Sequence, residues 1–361
     1  MLKILDEKAI KDLVIGGCIL GGGGGGSLKE GLKMGELAIQ SGLPKIIQLN
    51  DINDEDIILT VSAVGAPSAE NQFILPIDFV ETISLIEKQS GFKTKAIITN
   101  ENGGLATVNG LFQSAITGIP VLDVACNGRA HPTGVMGSMG LNTDSDYKTI
   151  QAAVGGEPGT SYRLKQLIEG DINSTSKLVR QMSVLAGGLV AVARNPVSKE
   201  YLKKNGARGA ISHAYDVGRA HNLGENPDQK INNVVDVLNG KIVAEGTVSL
   251  LEFQTIDGFD VGKVTIEDGD YSYSLTIWNE YITCDKGHNR IGTFPDLIMT
   301  FDAETGMPVT SSEIKEDLKI VVIYADKKNL RLGEGMRIKE NYKQVEEVVQ
   351  KDIVSYINDI F

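Results

Sequence analysis

The chain has 361 residues, with 35 Lys and Arg against 47 Asp and Glu, giving a formal charge of −12 and a charged fraction of 23%. That balance excludes a disordered polyelectrolyte and leaves no basic footprint for nucleic acid or an anionic membrane. No apolar run reaches the ~20 residues of a membrane span, and the start, Met-Leu-Lys-Ile-Leu-Asp-Glu-Lys, lacks the apolar core of a signal peptide. Three dispersed cysteines, Cys18, Cys126 and Cys284, suit free thiols in a reducing compartment, so a cytoplasmic protein is expected.

Apolar residues at Ile10, Leu13, Val14 and Cys18 recur at helical spacing. Six consecutive glycines, Gly21 to Gly26, follow. Ser27 can then cap a second helix carrying Leu28, Leu32 and Leu37, closed by Gly42 and Pro44. The hexaglycine therefore joins two helices. Downstream, 56–64 reads as a buried strand, 78–88 as a helix, 95–99 as a strand, 107–117 as a helix and 120–125 as a third strand. This alternation with short connections predicts a parallel sheet covered on both faces.

From Tyr147 to about Asn239 the pattern is mainly helical, with Leu164, Leu167 and Ile168 on one segment and Leu178 to Val192 on another. From Lys241 to about Asp326 it changes to period-two alternation broken by Asp-Gly, Gly-Asp and Glu-Thr-Gly turns, the mark of a small β-barrel or sandwich. Residues 341–360 have the spacing of an amphipathic helix. The expected fold is an N-terminal parallel-sheet α/β domain (1–165) and a C-terminal domain (166–361) with a helical lead-in (166–239), a barrel-like or sandwich part (240–326) and a terminal helix. Gly-Arg-Ala-His occurs twice, at 128–131 and 218–221, with unlike flanks; this reads as coincidence.

The glycine run formally contains GxGxxG, as any glycine polymer does, but the helix before it and the Ser27-Leu28 after it match neither a dinucleotide fingerprint nor a P-loop. No nucleotide cofactor is expected. Gly22, Gly23, Gly24, Gly25 and Gly26 can instead turn backbone N–H groups toward an anion or carbonyl, aided by the next helix N-terminus.

Ligands of a parallel sheet bind beyond its strand carboxyl ends. There the three strands deliver Gly65-Ala66-Pro67-Ser68, then Glu101, Asn102, Gly103 and Gly104, then Asp123 followed by Cys126-Asn127-Gly128-Arg129-Ala130-His131. Glu101, Asp123 and Arg129 are the candidates for chemistry, and Asn102, Gly103, Gly104, Cys126 and His131 for ligand contact. The expectation is that the glycine loop, Glu101 and Arg129 line one pocket. Cys284 and His288 lie four positions apart, and His213 follows a strand-like Gly209–Ser212; together they form a candidate Zn²⁺ set, although a convincing site needs three or four ligands from a tighter pattern. No HExxH, GxSxG or CxxC pair is present.

The segments IGGCILGGGGGGSLKEG, Glu101-Asn102-Gly103-Gly104, PVLDVACNGRAHP, SHAYDVGRA and Trp278-Asn279-Glu280 resemble the S-methyl thiohydantoin desulfurase family, from about Asp6 to Leu332. The resemblance implies an N-terminal α/β domain and a C-terminal domain with a β-barrel. It also implies metal-dependent hydrolytic removal of sulfur from a thiohydantoin ring, a small heterocycle, in a hydantoinase-associated setting. Where that pattern carries Asp-x-Asp before Gly-Arg-Ala, this chain has Asp123-Val124-Ala125, and Leu105-Ala106 stand after the paired glycines where relatives often have Asn.

The chemistry expected on this basis uses Zn²⁺ to polarise the C–S bond, Glu101 as general base, Arg129 to neutralise developing charge and the glycine loop as an oxyanion hole. The alternative is a non-catalytic small-molecule-binding accessory or regulatory protein beside a hydantoinase-type enzyme. A nucleotide-binding protein is the weakest reading, and a homodimer is the base-rate expectation.

Overall fold

The structure, a computed structural model, describes residues 5–66 and 68–361. Residues 1–4 and Pro67 lie outside the described residues. Among the described residues, no helix is long and apolar enough to cross a membrane.

The first half builds a mixed sheet from β1 (Ile46–Ile47), β2 (Ile57–Gly65), β3 (Thr94–Thr99), β4 (Val121–Ala125), β5 (Thr149–Gly155), β6 (Leu164–Gly170), β7 (Leu189–Ser198) and β8 (Ala207–Arg208). Its order is β1-β4-β3-β2-β7-β5-β6, with β8 beside β4. The β1–β4, β3–β4 and β2–β3 pairings are parallel, whereas β7, β5 and β6 add antiparallel strands. Alternate residues face opposite ways. Leu59, Val61, Ile97 and Val121 pack with α1 (Glu7–Leu20), α2 (Leu28–Ser41), α3 (Pro76–Ser90) and α4 (Leu111–Thr117). Ile58, Ala96, Ile98, Leu122 and Val124 fill the other face, which is why these strands read as continuous apolar runs.

The mainly helical reading of 147–239 needs correction. α5 (Ile172–Leu185), α6 (Lys199–Asn205), α7 (Ala210–Asn222) and α8 (Pro227–Val237) are helices, but 149–155, 164–170, 189–198 and 207–208 are strands, and the stretch before His213 is the start of α7. In β6 the residues alternate half-buried and exposed, a period of two that short apolar spacing mimicked.

Helix α1 is buried nearly all round because it lies between the two halves. Ile15, Cys18, Ile19 and Leu20 pack with α7, α8 and the outer face of the second sheet through Leu297, Met299, Phe301, Val321 and Ile323. Gly16 permits the α1–α7 crossing, since a Cβ there would stand 1.7 Å from the Ala214 carbonyl oxygen and 2.6 Å from the Gly218 nitrogen.

The second sheet is antiparallel throughout: β9 (Lys241–Ile256), β10 (Phe259–Asp268), β11 (Tyr271–Trp278), β12 (Glu280–Lys286), β13 (Asn289–Thr293), β14 (Leu297–Asp302), β15 (Pro308–Val309) and β16 (Lys319–Ala325). Its order, β13-β12-β11-β10-β9-β16-β14-β15, is an open path, so the barrel is not closed. The sheet curls until Cys284 of β12 and Ile298 of β14 share one core with Val248, Val264, Leu275 and Ile320, a sandwich-like arrangement. The tail is helical only in α9 (Lys343–Val349) and continues in short 3₁₀ turns. It is pinned by Val345, Ile353 and Ile357 against Trp278, Phe294 and Tyr342, so docking rather than helical periodicity shapes it.

Candidate functional site

A cavity of about 1050 Å³ opens where the carboxyl ends of β2 and β3 meet the β11–β12 corner of the second sheet. Its walls include Gly25 and Gly26, Ser62 to Gly65, Glu101, His131, Arg180 of α5, Arg194 of β7, Asn279 and Glu280. Ile338, Glu340, Asn341, Lys343 and Gln344 of the tail complete it.

At its centre is Glu101. Its Oε2 lies 3.2 Å from His131 Nε2 and accepts from Asn100 Nδ2 at 3.1 Å and from the His131 backbone N–H at 3.3 Å. Burial raises this carboxyl to about 7, against the lowering pull of those donors and of Arg194. His131 is not its ion-pair partner. Burial and then Arg194 hold the imidazole down to about 3, so it is neutral. Nδ1 lies 3.0 Å from the Thr133 carbonyl oxygen and must carry the proton, which leaves Nε2 as an acceptor facing Asn100 Nδ2 at 3.2 Å and Glu101. Arg194 Nη2 donates to Asn100 Oδ1 at 2.7 Å, fixing the amide orientation that the rest of the network requires.

The glycine loop is a backbone platform. Gly22, Gly23, Gly25 and Gly26 have φ of 59°, 98°, 77° and 86°, accessible to glycine and strained for other residues. The carbonyl of Gly22 accepts from Tyr281 N–H and that of Gly23 from Ser311 N–H, so the loop ties the two sheets together. The N-terminus of α2 is satisfied by its own capping box, with Ser27 Oγ accepting from Glu30 N–H and the Glu30 carboxylate folded back on Ser27. The N–H groups of Gly25 and Gly26 donate to no described residue, and both residues line the cavity.

Arg129 sits behind this platform rather than in the pocket. It is fully buried, donates to the carbonyls of Asp296 and Ala130 and lies over the Phe294 ring at 4.5 Å. Burial lowers it to about 10. Its Nη2 and the Oε2 of Glu280 are buried without a hydrogen-bond partner. Glu280 is a second cavity carboxyl, raised well above its ordinary value by burial first and by Glu101 next.

Several expected site residues do structural work here. Asp123 lies at the N-terminus of α7, where its carboxylate accepts from the N–H groups of Ile211 and Ser212, both at 3.0 Å, and from Ser212 Oγ at 2.5 Å. It does not border the cavity. Asn102 bonds the Gly128 and Ala210 carbonyls. Gly103 and Gly104 stack backbone on backbone against the glycine loop: a Cβ on Gly103 would stand 2.4 Å from Gly25 Cα. Cys126 is a buried thiol pushed up to about 11 by burial, its Sγ 3.3 Å from Thr60 Oγ1, and so is no nucleophile at neutral pH.

The proposed metal set does not assemble. Cys284 is in the core of the second sheet, His288 is exposed in the turn after β12, and His213 stands on α7, where burial and Arg331 lower its pKa to about 4. Among the described residues no three or more His, Cys, Asp and Glu side chains are grouped to hold a metal. The residues present therefore do not fit the metal centre that the resemblance implies.

Arg180, Arg194, Asn100 and Glu280 were missed as site residues. Arg194 did leave a trace, as a cation inside the apolar run Leu-Val-Ala-Val-Ala-Arg. The shift in strand pairing that follows it, with Asn195 at φ 54°, is a bulge of the kind that re-aims side chains. Glu280 likewise interrupts Ile277-Trp278 and Tyr281-Ile282.

The fold and site define a two-part α/β-plus-β protein with a half-enclosed, acid- and arginine-lined cleft at the junction. Family models of the S-Me-THD-like N-terminal domain and the S-Me-THD-like C-terminal domain match residues 8–166 and 170–339. The chain belongs to this S-Me-THD-like family. A crystal structure of a protein from Chromobacterium violaceum is similar in fold, with 20% identity and a TM-score of 0.68, covering 88% of this chain and 90% of that one. No curated protein matches the chain.

Proposed function

We propose that the chain is a hydrolase that removes sulfur from a small thiohydantoin-like heterocycle. The observation that carries this reading is Glu101, a carboxyl raised to about 7 at the wall of the cavity, where an acid–base group works best near neutral pH. Family membership supports the substrate class.

For an S-methyl substrate, water adds to the ring carbon bearing sulfur, and Glu101 takes a water proton as the C–O bond forms. The electron pair displaced onto the ring nitrogen takes the proton back from Glu101, which is ionised again; the C–S bond then breaks as Glu280, a carboxyl raised well above its ordinary value by burial, gives its proton to the departing sulfur and takes the proton of the added hydroxyl as the carbonyl forms. The water oxygen ends as the hydantoin carbonyl, one of its protons as the thiol hydrogen and the other on ring nitrogen, with no change of oxidation state. Asn100 Nδ2 and the His131 backbone N–H hold Glu101 in place. The Gly25 and Gly26 N–H groups are available to the oxygen on which charge develops.

The test is release of thiol or sulfide from S-methyl thiohydantoins and thiohydantoins, followed with a thiol reagent. Turnover that Glu101→Gln abolishes supports the hydrolase. Tight binding of the heterocycle without release of sulfur would overturn it in favour of a non-catalytic accessory protein.

A further inference from the structure

The edge of the first sheet away from the cavity is open. β6 ends the strand order, and among the described residues only β5 pairs with it. Neither a proline nor a bulge breaks its seven residues. Its guards against pairing are two charges, and they are of opposite sign. Leu164 and Ile168 pack under α5 with Val179 and Met182, whereas Lys165, Leu167 and Glu169 stand on the opposite face, all exposed. Lys165 reaches Glu81 of α3, and Glu169 has no ion-pair partner within 4.0 Å among the described residues. Arg163 and Asp171, just beyond the strand ends, are committed within the chain, to Asp78 and to the N-terminus of α5. Helix α5 adds a second layer. It turns Ser176, Lys177 and Arg180 to the cavity. Leu178 and Leu185, two turns apart, are left 49% and 57% exposed on another flank. Because the cavity lies toward β2 and β7, this flank overlooks the β6 edge.

We propose that β6 pairs with the same strand of a second copy of this chain, antiparallel about a two-fold axis at Leu167, so that the two first sheets become one. Lys165, Leu167 and Glu169 read the same in charge after that rotation: positive, apolar, negative against negative, apolar, positive. Leu167 then faces its counterpart, and each Lys165 faces the partner subunit's Glu169 at directly opposed positions, where opposite charges attract and like charges repel. A shift of one residue sets Leu167 against a charge, and parallel pairing in register sets like charges side by side, so the antiparallel register at Leu167 is the one that satisfies the face. The backbone groups on the outer side of β6 gain ladder hydrogen bonds. The same axis brings Leu178 and Leu185 of the two α5 helices toward each other above the seam, an isologous contact with an apolar centre. Both cavities open on the other flank of α5 and stay accessible.

Sedimentation velocity of the full chain across the micromolar range tests this. Wild-type protein is expected to run as a dimer of the 38.8 kDa chain. Lys165→Glu and Glu169→Lys each set like charges across the seam and are expected to weaken self-association roughly tenfold or more. Mixed in equal amounts, the two variants present opposite charges to each other at both positions. The mixture is expected to form a dimer at the concentration where wild type does, which also shows that both variants are folded. A monomeric wild type would overturn the proposal and leave the edge to a partner of another kind. A dimer that neither charge reversal weakens would overturn it in favour of a different face. Variants that stay monomeric when mixed would overturn the pairing of Lys165 with the partner's Glu169, and with it the proposal.

Discussion

Glu101→Gln keeps the shape of the side chain and an oxygen that can accept from Asn100, but removes the proton acceptor. With a pKa of about 7, the wild-type carboxyl is ionised to about a tenth at pH 6, about half at pH 7 and about nine tenths at pH 8. If the ionised form is the base, kcat/KM for thiol release rises about tenfold from pH 6 to pH 8 and then levels. The amide variant should lose roughly 10²–10⁴-fold in kcat and show no such rise. Stability supplies an independent check. The folded pKa is raised above the ordinary 4.5, so the folded state holds this proton more tightly than the unfolded chain does. The contribution is fully present below about pH 4.5 and is lost as pH rises through about 7. A shift of this size corresponds to about 3 kcal/mol. Urea unfolding should therefore show Glu101→Gln gaining stability over wild type by up to about 3 kcal/mol as pH is raised from 4.5 to 8. A wild-type rate that is flat from pH 6 to 8, or a stability gap independent of pH, would refute both the role and the reason for it.

The other predictions concern groups around this centre. His131 is held down to about 3 from 6.5 by burial and Arg194, so its contribution is complete above pH 6.5 and lost as pH falls toward 3; His131→Asn should flatten the loss of stability that wild type shows between pH 6 and pH 4, measured by urea unfolding. Asp123→Ala removes the carboxylate from the Ile211 and Ser212 N–H groups and should lower stability by about 1–2 kcal/mol, while the midpoint of the pH–rate profile stays near 7; a moved midpoint would return Asp123 to the chemistry. Gly16→Ala places a Cβ 1.7 Å from the Ala214 carbonyl oxygen, so α1 and α7 must part, at a loss of roughly 3 kcal/mol readable in thermal unfolding; an unchanged Tm would contradict the close crossing.

Elements built on strong local patterns were legible. The buried strands at 57–65, 94–99 and 121–125 announce themselves as short β-branched runs between turn residues. The helix–hexaglycine–helix unit follows from helical spacing, a run that no packed element tolerates, and the Ser27 cap. The strands at 164–170 and 189–198 were not legible as strands, because their spacing in a short window also fits a helix, and pairing with β5 and β2 decided the matter. The tail was half legible: its apolar residues are buried, but they meet the Trp278 and Phe294 core through turns.

The site divides the same way. Glu101 and His131 follow strands whose carboxyl ends must open into a crevice in a parallel sheet, so their place in the cavity could be read from order along the chain, as could Gly25 and Gly26 beside them. Asp123 and Arg129 satisfy the same sequence rule, yet one caps a helix and the other supports the glycine loop from behind, because side-chain direction depends on what packs against the strand end. Arg180, Arg194 and Glu280 come from α5, from a bulged antiparallel strand and from the corner of the other sheet. Their convergence is a property of how the two sheets are clamped by the Gly22 and Gly23 carbonyls, and so are the shifted acidities. Sequence alone determined the buried strands at 57–65, 94–99 and 121–125 and the helix–glycine–helix unit, since their patterns depend on neighbours along the chain; the tertiary structure decided the strands of ambiguous spacing and which charges lose their water and face one another, since pairing, burial and Coulomb interaction depend on distance through space.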